Sequence, residues 1–230
     1  MPDSFALGLA QVCVPPFDFA QGKLAELVLS LSKDHVFDWR QACRYFMRMD
    51  KIEVKNIFAA VFEKRVLDPL LEVLDPKGVK FWGTEGTVKY LKSKGFVARS
   101  VVSGFDFDGR VKSLDRINFA AILADKSTPK HLEELKRLNM LAIDVVIVDL
   151  YKPDSKNFPE TMDIGGQALI RAAVKNYKNV AVAFDKKSIF DLTLELNKNS
   201  GSTTLAFRKN QSFGALKFIA SRCLLEFKMF

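Results

Sequence analysis

Short apolar runs alternate with longer amphipathic stretches from Lys51 to the end of the chain. A short run of apolar, β-branched residues is typical of a buried strand, and apolar positions three and four residues apart are typical of a helix. The run over residues 143–151 is the clearest strand, because Ile and Val dominate it as they do in strands buried on both faces. Strands are predicted over residues 56–61, 79–82, 96–102, 143–151 and 180–184.

The amphipathic stretches between these runs predict helices. They cover residues 63–74, 88–95, 129–138, 167–174 and 187–197. Residues 117–124 fit a short helix or a strand, and residues 205–230 fit one long helix or two shorter ones. Strands that alternate with helices are typical of a parallel sheet with helices on both faces. The predicted fold class is therefore α/β, with a Rossmann-like parallel sheet.

Residues 1–48 lack this pattern, and nothing in them predicts a place in the core of the α/β segment. We expect an N-terminal extension read in from upstream of a true start at Met47 or Met49. A surface appendage and an interaction segment are the alternatives. The rest divides into a main domain, residues 49–198, and a helical tail, residues 199–230, packed on that domain.

Composition narrows the class of protein. Hydrophobic residues make up 48% of the chain and charged residues 27%, as in globular proteins that do not enter membranes. The start has no basic segment before an apolar one, and no run is long enough to span a bilayer, so a cytoplasmic protein is expected. Cys13, Cys43 and Cys223 are isolated, which argues against disulfides and zinc. His35 and His131 are the only histidines, which disfavours a His-rich metal centre or a His-based triad.

The formal net charge of +8 suits an anionic partner: a nucleic acid, an anionic lipid or a phosphorylated small molecule. The basic residues are spread along the chain, and no aromatic–basic RNA signature accompanies them. We therefore expect neither nucleic-acid nor membrane binding. A phosphorylated ligand and a merely solvated basic surface both remain compatible with the charge.

Four motifs follow predicted strands or the loops that leave them. They are GTEGT at residues 83–87, GRVKS at 109–113, DLYKP at 149–153 and MDIGGQALIRAAVKN at 162–176. In open parallel sheets, ligands bind beyond the carboxyl ends of the strands. The topology therefore predicts that these motifs meet at one edge of the sheet.

The segment 162–176 combines a carboxylate, two glycines and a helix. Gly165 and Gly166 permit backbone conformations that other residues resist, so their N–H groups are predicted to face a bound group together with the positive end of the helix. Asp163 would orient or deprotonate a ligand N–H there. The alternative is an ordinary capped helix.

In this order, the motifs resemble the cyclohydrolase portion of the bifunctional AICAR formyltransferase/IMP cyclohydrolase family of purine biosynthesis. The resemblance covers residues 52–198 and, more faintly, the tail. It implies a methylglyoxal-synthase-like fold and a dehydrating ring closure that forms inosine monophosphate from a formylated ribonucleotide. It implies no metal or redox cofactor, a homodimer, and a separate formyltransferase that supplies the substrate, because the formyltransferase half is missing from this sequence.

The resemblance also implies roles for four catalytic residues. Lys112 would stabilise the developing oxyanion, Tyr151 would donate a hydrogen bond or carry a proton, and Asp163 would contact the carboxamide. An ordinary loop lysine and a packed strand-end tyrosine are the alternatives for the first two. Lys175 would act with Asp163, although a straight helix between them would separate the two by about 18 Å.

The remaining site residues would bind the substrate. The resemblance places the ribotide phosphate among Lys64, Thr84, Gly86 and Thr87, with helix N-termini beneath it. Arg110 and Ser113 belong to the GRVKS motif, which also contains Lys112. Backbone N–H groups beside the aspartate complete the set, which is Lys64, Thr84, Gly86, Thr87, Arg110, Ser113, Ile164, Gly165 and Gly166.

The sequence departs from the family pattern at several positions. Ala60 and Phe62 replace two serines of the phosphate loop, and Glu85 stands where a glycine is usual. Asp115 and Arg116 replace a His-Pro pair, Asp149 replaces an asparagine and Lys152 a proline. Two alternatives to the cyclohydrolase therefore stay open: a non-catalytic nucleotide sensor, and a synthase that eliminates phosphate through an aspartate and a histidine. The position of His131 in a charged helix argues against the synthase.

Overall fold

A parallel five-stranded sheet forms the centre of the computed structural model, which describes residues 50–101 and 113–230. The strands are β1 Ile52–Glu53, β2 Asn56–Val61, β3 Lys80–Gly83, β4 Val97–Ser100, β5 Val145–Asp149, β6 Ala181–Ala183 and β7 Ser202–Thr203. The sheet has the order β4-β3-β2-β5-β6, with every pair parallel, while β1 and β7 form a separate antiparallel pair. The predicted α/β class is confirmed.

Seven α-helices lie in the described part of the chain, together with two 3-10 turns. They are α1 Asp68–Val73, α2 Glu85–Ser93, α3 Arg116–Leu123, α4 Pro129–Arg137, α5 Ile164–Lys175, α6 Lys186–Lys198 and α7 Leu205–Phe227. Residues 117–124, which fit a helix or a strand, lie mostly in helix α3, and the end of the chain is one helix. Among the described helices, none is both long and apolar enough to cross a membrane.

Helices cover both faces of the sheet because successive side chains of each strand point to opposite sides. Ile57 packs on one side, in a cluster with residues of α1, α2 and α6. Its neighbour Phe58 packs on the other, with residues of α3, α5 and α7. Both are fully buried, and burying a side chain of this size contributes about 2 kcal/mol.

The strand over residues 143–151 is shorter than predicted at both ends. Asp144 donates its N–H to the carbonyl of Asn56, but the ladder begins at Val145. At the other end, the carbonyls of Leu150 and Tyr151 accept hydrogen bonds from Arg222 of α7, and the chain leaves the sheet after Asp149. At the carboxyl end, one side-chain donor from a distant helix therefore takes the place of a neighbouring strand.

Asp144 marks the amino edge of the sheet. Its carboxylate accepts from the backbone N–H groups of Lys55 and Asn56 at 2.9 and 2.7 Å, and it pairs with the ammonium group of Lys126. Lys126 also donates to the carbonyl of Asn179, just before β6. The N–H of Asp125 donates to Nδ1 of His131 at 3.0 Å, so His131 lies near this edge as well.

Helix α7 is joined to the rest of the fold at its start by a buried arginine. Arg208 donates from Nη1 to the carbonyl of Thr203 at 2.6 Å and from Nε to the carbonyl of Tyr177 at 3.2 Å. The helix then runs across β6 and α5. Its second half thereby reaches the carboxyl edge of β5.

Candidate functional site

Tyr151 and Asp163 come together at the carboxyl edge of the sheet. Tyr151 lies two residues beyond β5, and its hydroxyl donates to the carbonyl of Met162 at 3.4 Å. Asp163, the next residue, is the N-cap of α5, and its Oδ1 accepts from the N–H of Gly166 at 2.7 Å. A phenol that follows a strand and a carboxylate that begins the next α-helix thus lie on the same side of the site.

The surroundings raise the pKa of both the Asp163 carboxyl and the Tyr151 hydroxyl. Burial raises the pKa of the Asp163 carboxyl, against the opposing effects of the Gly166 N–H and the Arg222 charge. Burial also raises the pKa of the Tyr151 hydroxyl, and the negative charge of Asp163 raises it further. A carboxylate with a raised pKa is a stronger base, and such a tyrosine stays protonated at neutral pH. The pair is therefore suited to accept one proton and donate another.

Gly165 and Gly166 do not form the special turn that the sequence suggested. Both lie in the first turn of α5, and the positive-φ glycines of the described chain are Gly95 and Gly201 instead. Glycine is needed here for close packing. A Cβ at Gly165 would lie 2.6 Å from Oγ of Ser113, and one at Gly166 would lie 2.3 Å from Cδ2 of Leu150.

The start of α5 is therefore an ordinary capped helix, and it still offers donors. The first N–H groups of a helix have no acceptor within it, and here Asp163 occupies that of Gly166. The N–H groups of Ile164 and Gly165 precede it in the same turn, at the positive end of the helix. An anionic or carbonyl oxygen placed beside Asp163 would meet them.

Lys64 and the start of α2 form a second group at the same edge. A Cβ on Gly86 would lie 3.8 Å from Nζ of Lys64, which shows that the lysine extends over the first turn of α2. Nζ donates to the carbonyl of Phe62 at 2.7 Å. A cation over the N-terminus of a helix is a suitable place for a phosphate group.

The side chain of Thr87 points away from this group. Thr87 is fully buried, and its hydroxyl lies 3.3 Å from both the N–H and the carbonyl oxygen of Val61 and 3.2 Å from the hydroxyl of Thr84. It therefore ties the end of β2 to the start of α2. Because the hydroxyl is used within the fold, the backbone N–H of Thr87 is the group left at the helix start. The place of Thr87 in the phosphate site stays a prediction.

Phe62 connects the two groups, which the sequence did not indicate. Its side chain is 66% exposed, its ring centroid lies 6.1 Å from that of Tyr151, and Nζ of Lys64 lies 5.8 Å from it. The sequence indicates only that Phe62 lacks the hydroxyl of the serine that it replaces in the family pattern. In the structure it adds an apolar wall between the phenol and the lysine.

Lys175 lies at the other end of α5. The helix runs unbroken over 12 residues, a rise of about 18 Å. The side chain of the following residue, Asn176, donates to the carbonyls of Ile122 and Ala124, beside the Lys126–Asp144 pair of the amino edge. Direct contact between Asp163 and Lys175 within one chain is therefore excluded. Lys175 instead lines an open groove of about 420 Å³ between α3, α5 and α7, and its role in a reaction stays a prediction.

The structure describes only the last residue of the GRVKS motif, Ser113. Lys112 and Arg110 lie outside the described residues, so their predicted roles stay predictions. Ser113 is buried, its carbonyl accepts from Nδ2 of Asn118 at 3.5 Å, and its hydroxyl lies against Gly165. The described end of this motif therefore meets the start of α5.

Comparison with known proteins gives two kinds of relative, although no protein-family model matches the chain. The bifunctional purine biosynthesis protein PurH of Rhizobium leguminosarum bv. trifolii (strain WSM2304) is 32% identical over 175 residues, and that of Brucella ovis (strain ATCC 25840 / 63/290 / NCTC 10512) is 33% identical over 172. This chain is a homologue of PurH. The alignments cover 71% and 70% of it but 32% of each relative, so the chain spans about one third of a PurH protein.

One solved structure is similar over most of the chain. The crystal structure of ForH matches with a TM-score of 0.63 and 26% sequence identity, over 76% of this chain and 98% of that chain. The recognition of the PurH family from the motifs, and the fold expected from it, are therefore confirmed.

The PurH-like motifs did not reveal the contribution of α7 to the site. Arg222 donates from Nη2 to the carbonyl of Tyr151 at 2.7 Å, and Glu226 accepts from Nε2 of Gln167 at 2.8 Å. Both α7 residues are buried. The sequence shows only an apolar-faced helix here, and nothing in its pattern tells a buried arginine from a solvent-exposed one.

Proposed function

We propose that this PurH homologue is an enzyme of purine biosynthesis that closes the second ring of inosine monophosphate. The carboxamide nitrogen of 5-formamidoimidazole-4-carboxamide ribotide attacks the formyl carbon, and the formyl oxygen leaves as water. The observation that carries the proposal is the meeting of Tyr151 and Asp163 at the carboxyl edge of the sheet. Both residues belong to the motifs that resemble those of the family.

In this mechanism the pair handles the protons. The Asp163 carboxylate accepts a proton from the carboxamide nitrogen as that nitrogen bonds to the formyl carbon. The Tyr151 hydroxyl donates one proton to the formyl oxygen, and the proton held by Asp163 is the second, so that the oxygen departs as water. The formamide nitrogen then loses its proton to the Tyr151 phenolate as the ring double bond forms. General acid–base groups of this kind contribute about 10²–10⁴-fold to a rate. The N–H groups of Ile164 and Gly165 at the helix start would stabilise the charge on that oxygen. Lys112 would do the same, as the resemblance to the family implies.

The substrate would be held at its other end by the Lys64 group. The ribotide phosphate would lie against Nζ of Lys64 and the first N–H groups of α2. Phe62 would pack beside the ribose or the imidazole ring. The Phe62 side chain lies between the Tyr151–Asp163 pair and the Lys64 group. This spacing suits a substrate that has a phosphate at one end and the reacting groups at the other.

The test is conversion of the formamido ribotide by the purified protein, followed through the absorbance of the purine ring. Conversion far above the reaction without protein is expected. Saturable binding without conversion would indicate a sensor, and neither binding nor conversion would mean a different ligand.

The sensor is the second candidate because of the phosphate loop. Ala60 and Phe62 lack the two hydroxyls of the family pattern, and the Thr87 hydroxyl is used within the fold. Fewer donors would then hold the phosphate than in a PurH with the usual loop. The synthase has no such support, because His131 lies near the amino edge, away from Asp163.

Replacement of Lys64 by glutamine is expected to raise KM for the ribotide about tenfold or more, with a smaller change in kcat. A phosphate contact made equally in the ground state and the transition state affects binding rather than turnover. Lys89→Gln is the matched control, because Lys89 is an exposed lysine of α2, the helix whose first turn the Lys64 side chain covers. Equal KM values for the two variants would remove Lys64 from the phosphate site.

The pH dependence of kcat/KM follows from the raised pKa of Asp163. The base is active as a carboxylate, so activity is present above this pKa and is lost as the pH falls through it. The acid limb is therefore expected above the ordinary aspartate value of about 4. An acid limb at the ordinary value would contradict the assignment of Asp163 as the base.

A further inference from the structure

A buried arginine lies directly behind the Tyr151–Asp163 pair. Nη2 of Arg222 donates to the carbonyl of Tyr151 at 2.7 Å and to that of Leu150 at 3.3 Å. Its Cζ lies 6.0 Å from the ring centroid of Phe218, one turn earlier on α7, and the residue is 9% exposed. A buried cation is costly unless acceptors or opposite charges surround it.

We propose that Arg222 is a positioning residue for the ring closure, which fixes the backbone that carries Tyr151 and places a positive charge behind Asp163. The chemical role of Arg222 in this proposal rests on the proposed function. Through Arg222, the C-terminal helix becomes part of the site, although its motif-free sequence lies outside the region where the resemblance to the family is strong.

The positioning part of the proposal rests on where β5 ends. The ladder stops at Asp149, so the carbonyls of Leu150 and Tyr151 need donors other than a neighbouring strand. Arg222 supplies both from one nitrogen. Because the phenol is carried on this backbone, loosening it would move the hydroxyl relative to Asp163. A shift of about 1 Å at a reacting group lowers rates by about 10²-fold.

The electrostatic part rests on four groups that face one another. Asp163 comes from the start of α5, Tyr151 from the end of β5, and Arg222 and Glu226 from successive turns of α7. Arg222 acts to lower the pKa of both Asp163 and Tyr151, whereas Glu226 raises that of Tyr151. Gln167 of α5 holds Glu226 through a hydrogen bond of 2.8 Å. Removal of the positive charge should therefore raise both pKa values further.

The test compares three variants of the whole chain. Arg222→Met removes the charge and the donors, and Arg222→Lys retains the charge but lacks the planar fork. Arg208→Met is the control, because Arg208 is another buried arginine of α7 whose carbonyl acceptors, those of Thr203 and Tyr177, lie away from the pair. Free energies of unfolding are measured for all three by chemical denaturation.

Arg222→Met is expected to lower kcat about 10–100-fold with a smaller change in KM, and to move the acid limb of the pH profile to higher pH. Arg222→Lys should return the acid limb close to its original position while kcat recovers only in part. Arg208→Met should change stability alone. Unchanged kcat and an unchanged acid limb in folded Arg222→Met would overturn the proposal, as would the same changes in Arg208→Met.

A titration without substrate separates this proposal from the proposed function. The Asp163 carboxyl is followed by ¹³C NMR in the free protein, and its signal is identified by its loss in Asp163→Asn. A higher Asp163 pKa in Arg222→Met, and not in Arg208→Met, supports the charge placement even if the ribotide is not converted. An unchanged value overturns it even if conversion is fast. If Arg222→Met does not fold, Arg222→Lys is compared with the native chain instead. A lower kcat at an unchanged Asp163 pKa then supports the positioning role, and an unchanged kcat overturns it.

Discussion

Replacement of Asp163 by asparagine is expected to lower turnover of the formamido ribotide by about 10²–10⁴-fold, the usual contribution of a general base. Its stability should stay close to that of the native chain. Asp163 also caps α5 through Gly166, and asparagine caps a helix about as well as aspartate. The substitution thus removes the base while keeping the hydrogen bond that the helix needs.

Two further variants separate chemistry from capping. Asp163→Ala removes both functions, so it should lose the same activity and also about 1 kcal/mol of stability. Asp185→Asn makes the same exchange at the N-cap of α6, where Asp185 accepts from the N–H of Ser188 at 2.7 Å. It should leave turnover unchanged. Native turnover in Asp163→Asn would show that Asp163 serves only as a cap.

Replacement of Gly83 by alanine is expected to destabilise the fold strongly, although it adds only one methyl group. Gly83 ends β3, and a Cβ there would lie 2.0 Å from the carbonyl oxygen of Ala59 in the adjacent strand β2. That oxygen belongs to backbone in the middle of the sheet, paired with β3 on one side and Ile147 of β5 on the other. The strands cannot separate locally without losing ladder hydrogen bonds.

The expected loss is about 3 kcal/mol or more, out of the roughly 5–15 kcal/mol that stabilise an ordinary domain. It is measured as the change in the free energy of unfolding in urea. Gly78→Ala is the control, because its nearest neighbour would be the side-chain carboxylate of Asp75 at 3.3 Å, which can move. A Gly83→Ala chain as stable as Gly78→Ala would mean that Gly83 does not approach the Ala59 carbonyl this closely.

The fold was predictable where local pattern and burial agree. The strand at β5 was recognised because both of its faces are buried, and apolar residues therefore fill it without a break. Its end was not, since Arg222 lies about 70 residues later and replaces ladder partners there. The sequence predicts the start of α5 at residue 167, three residues late, because glycine disfavours helices. Close packing against Ser113 and Leu150 nevertheless requires glycine at positions 165 and 166 of this helix.

The sequence predicts those parts of the candidate site that the strand topology alone brings together. Tyr151 and Asp163 meet because parallel strands deliver their loops to one edge. The position of Lys175 follows from the length of an unbroken helix, and the sequence alone could not show that α5 is unbroken. The inward hydroxyl of Thr87 and the buried charge of Arg222 depend on contacts between segments far apart in the chain. No local pattern records such contacts.

Joint action of Tyr151 and Asp163 in one reaction is measured most directly by a double-mutant cycle on turnover of the formamido ribotide, with Tyr151→Phe, Asp163→Asn and the double variant. Residues that act as a unit are strongly non-additive. The double variant is therefore expected to be only slightly slower than Asp163→Asn alone. If the two losses multiply in full, or if neither single substitution slows conversion, the two side chains do not form one reacting centre.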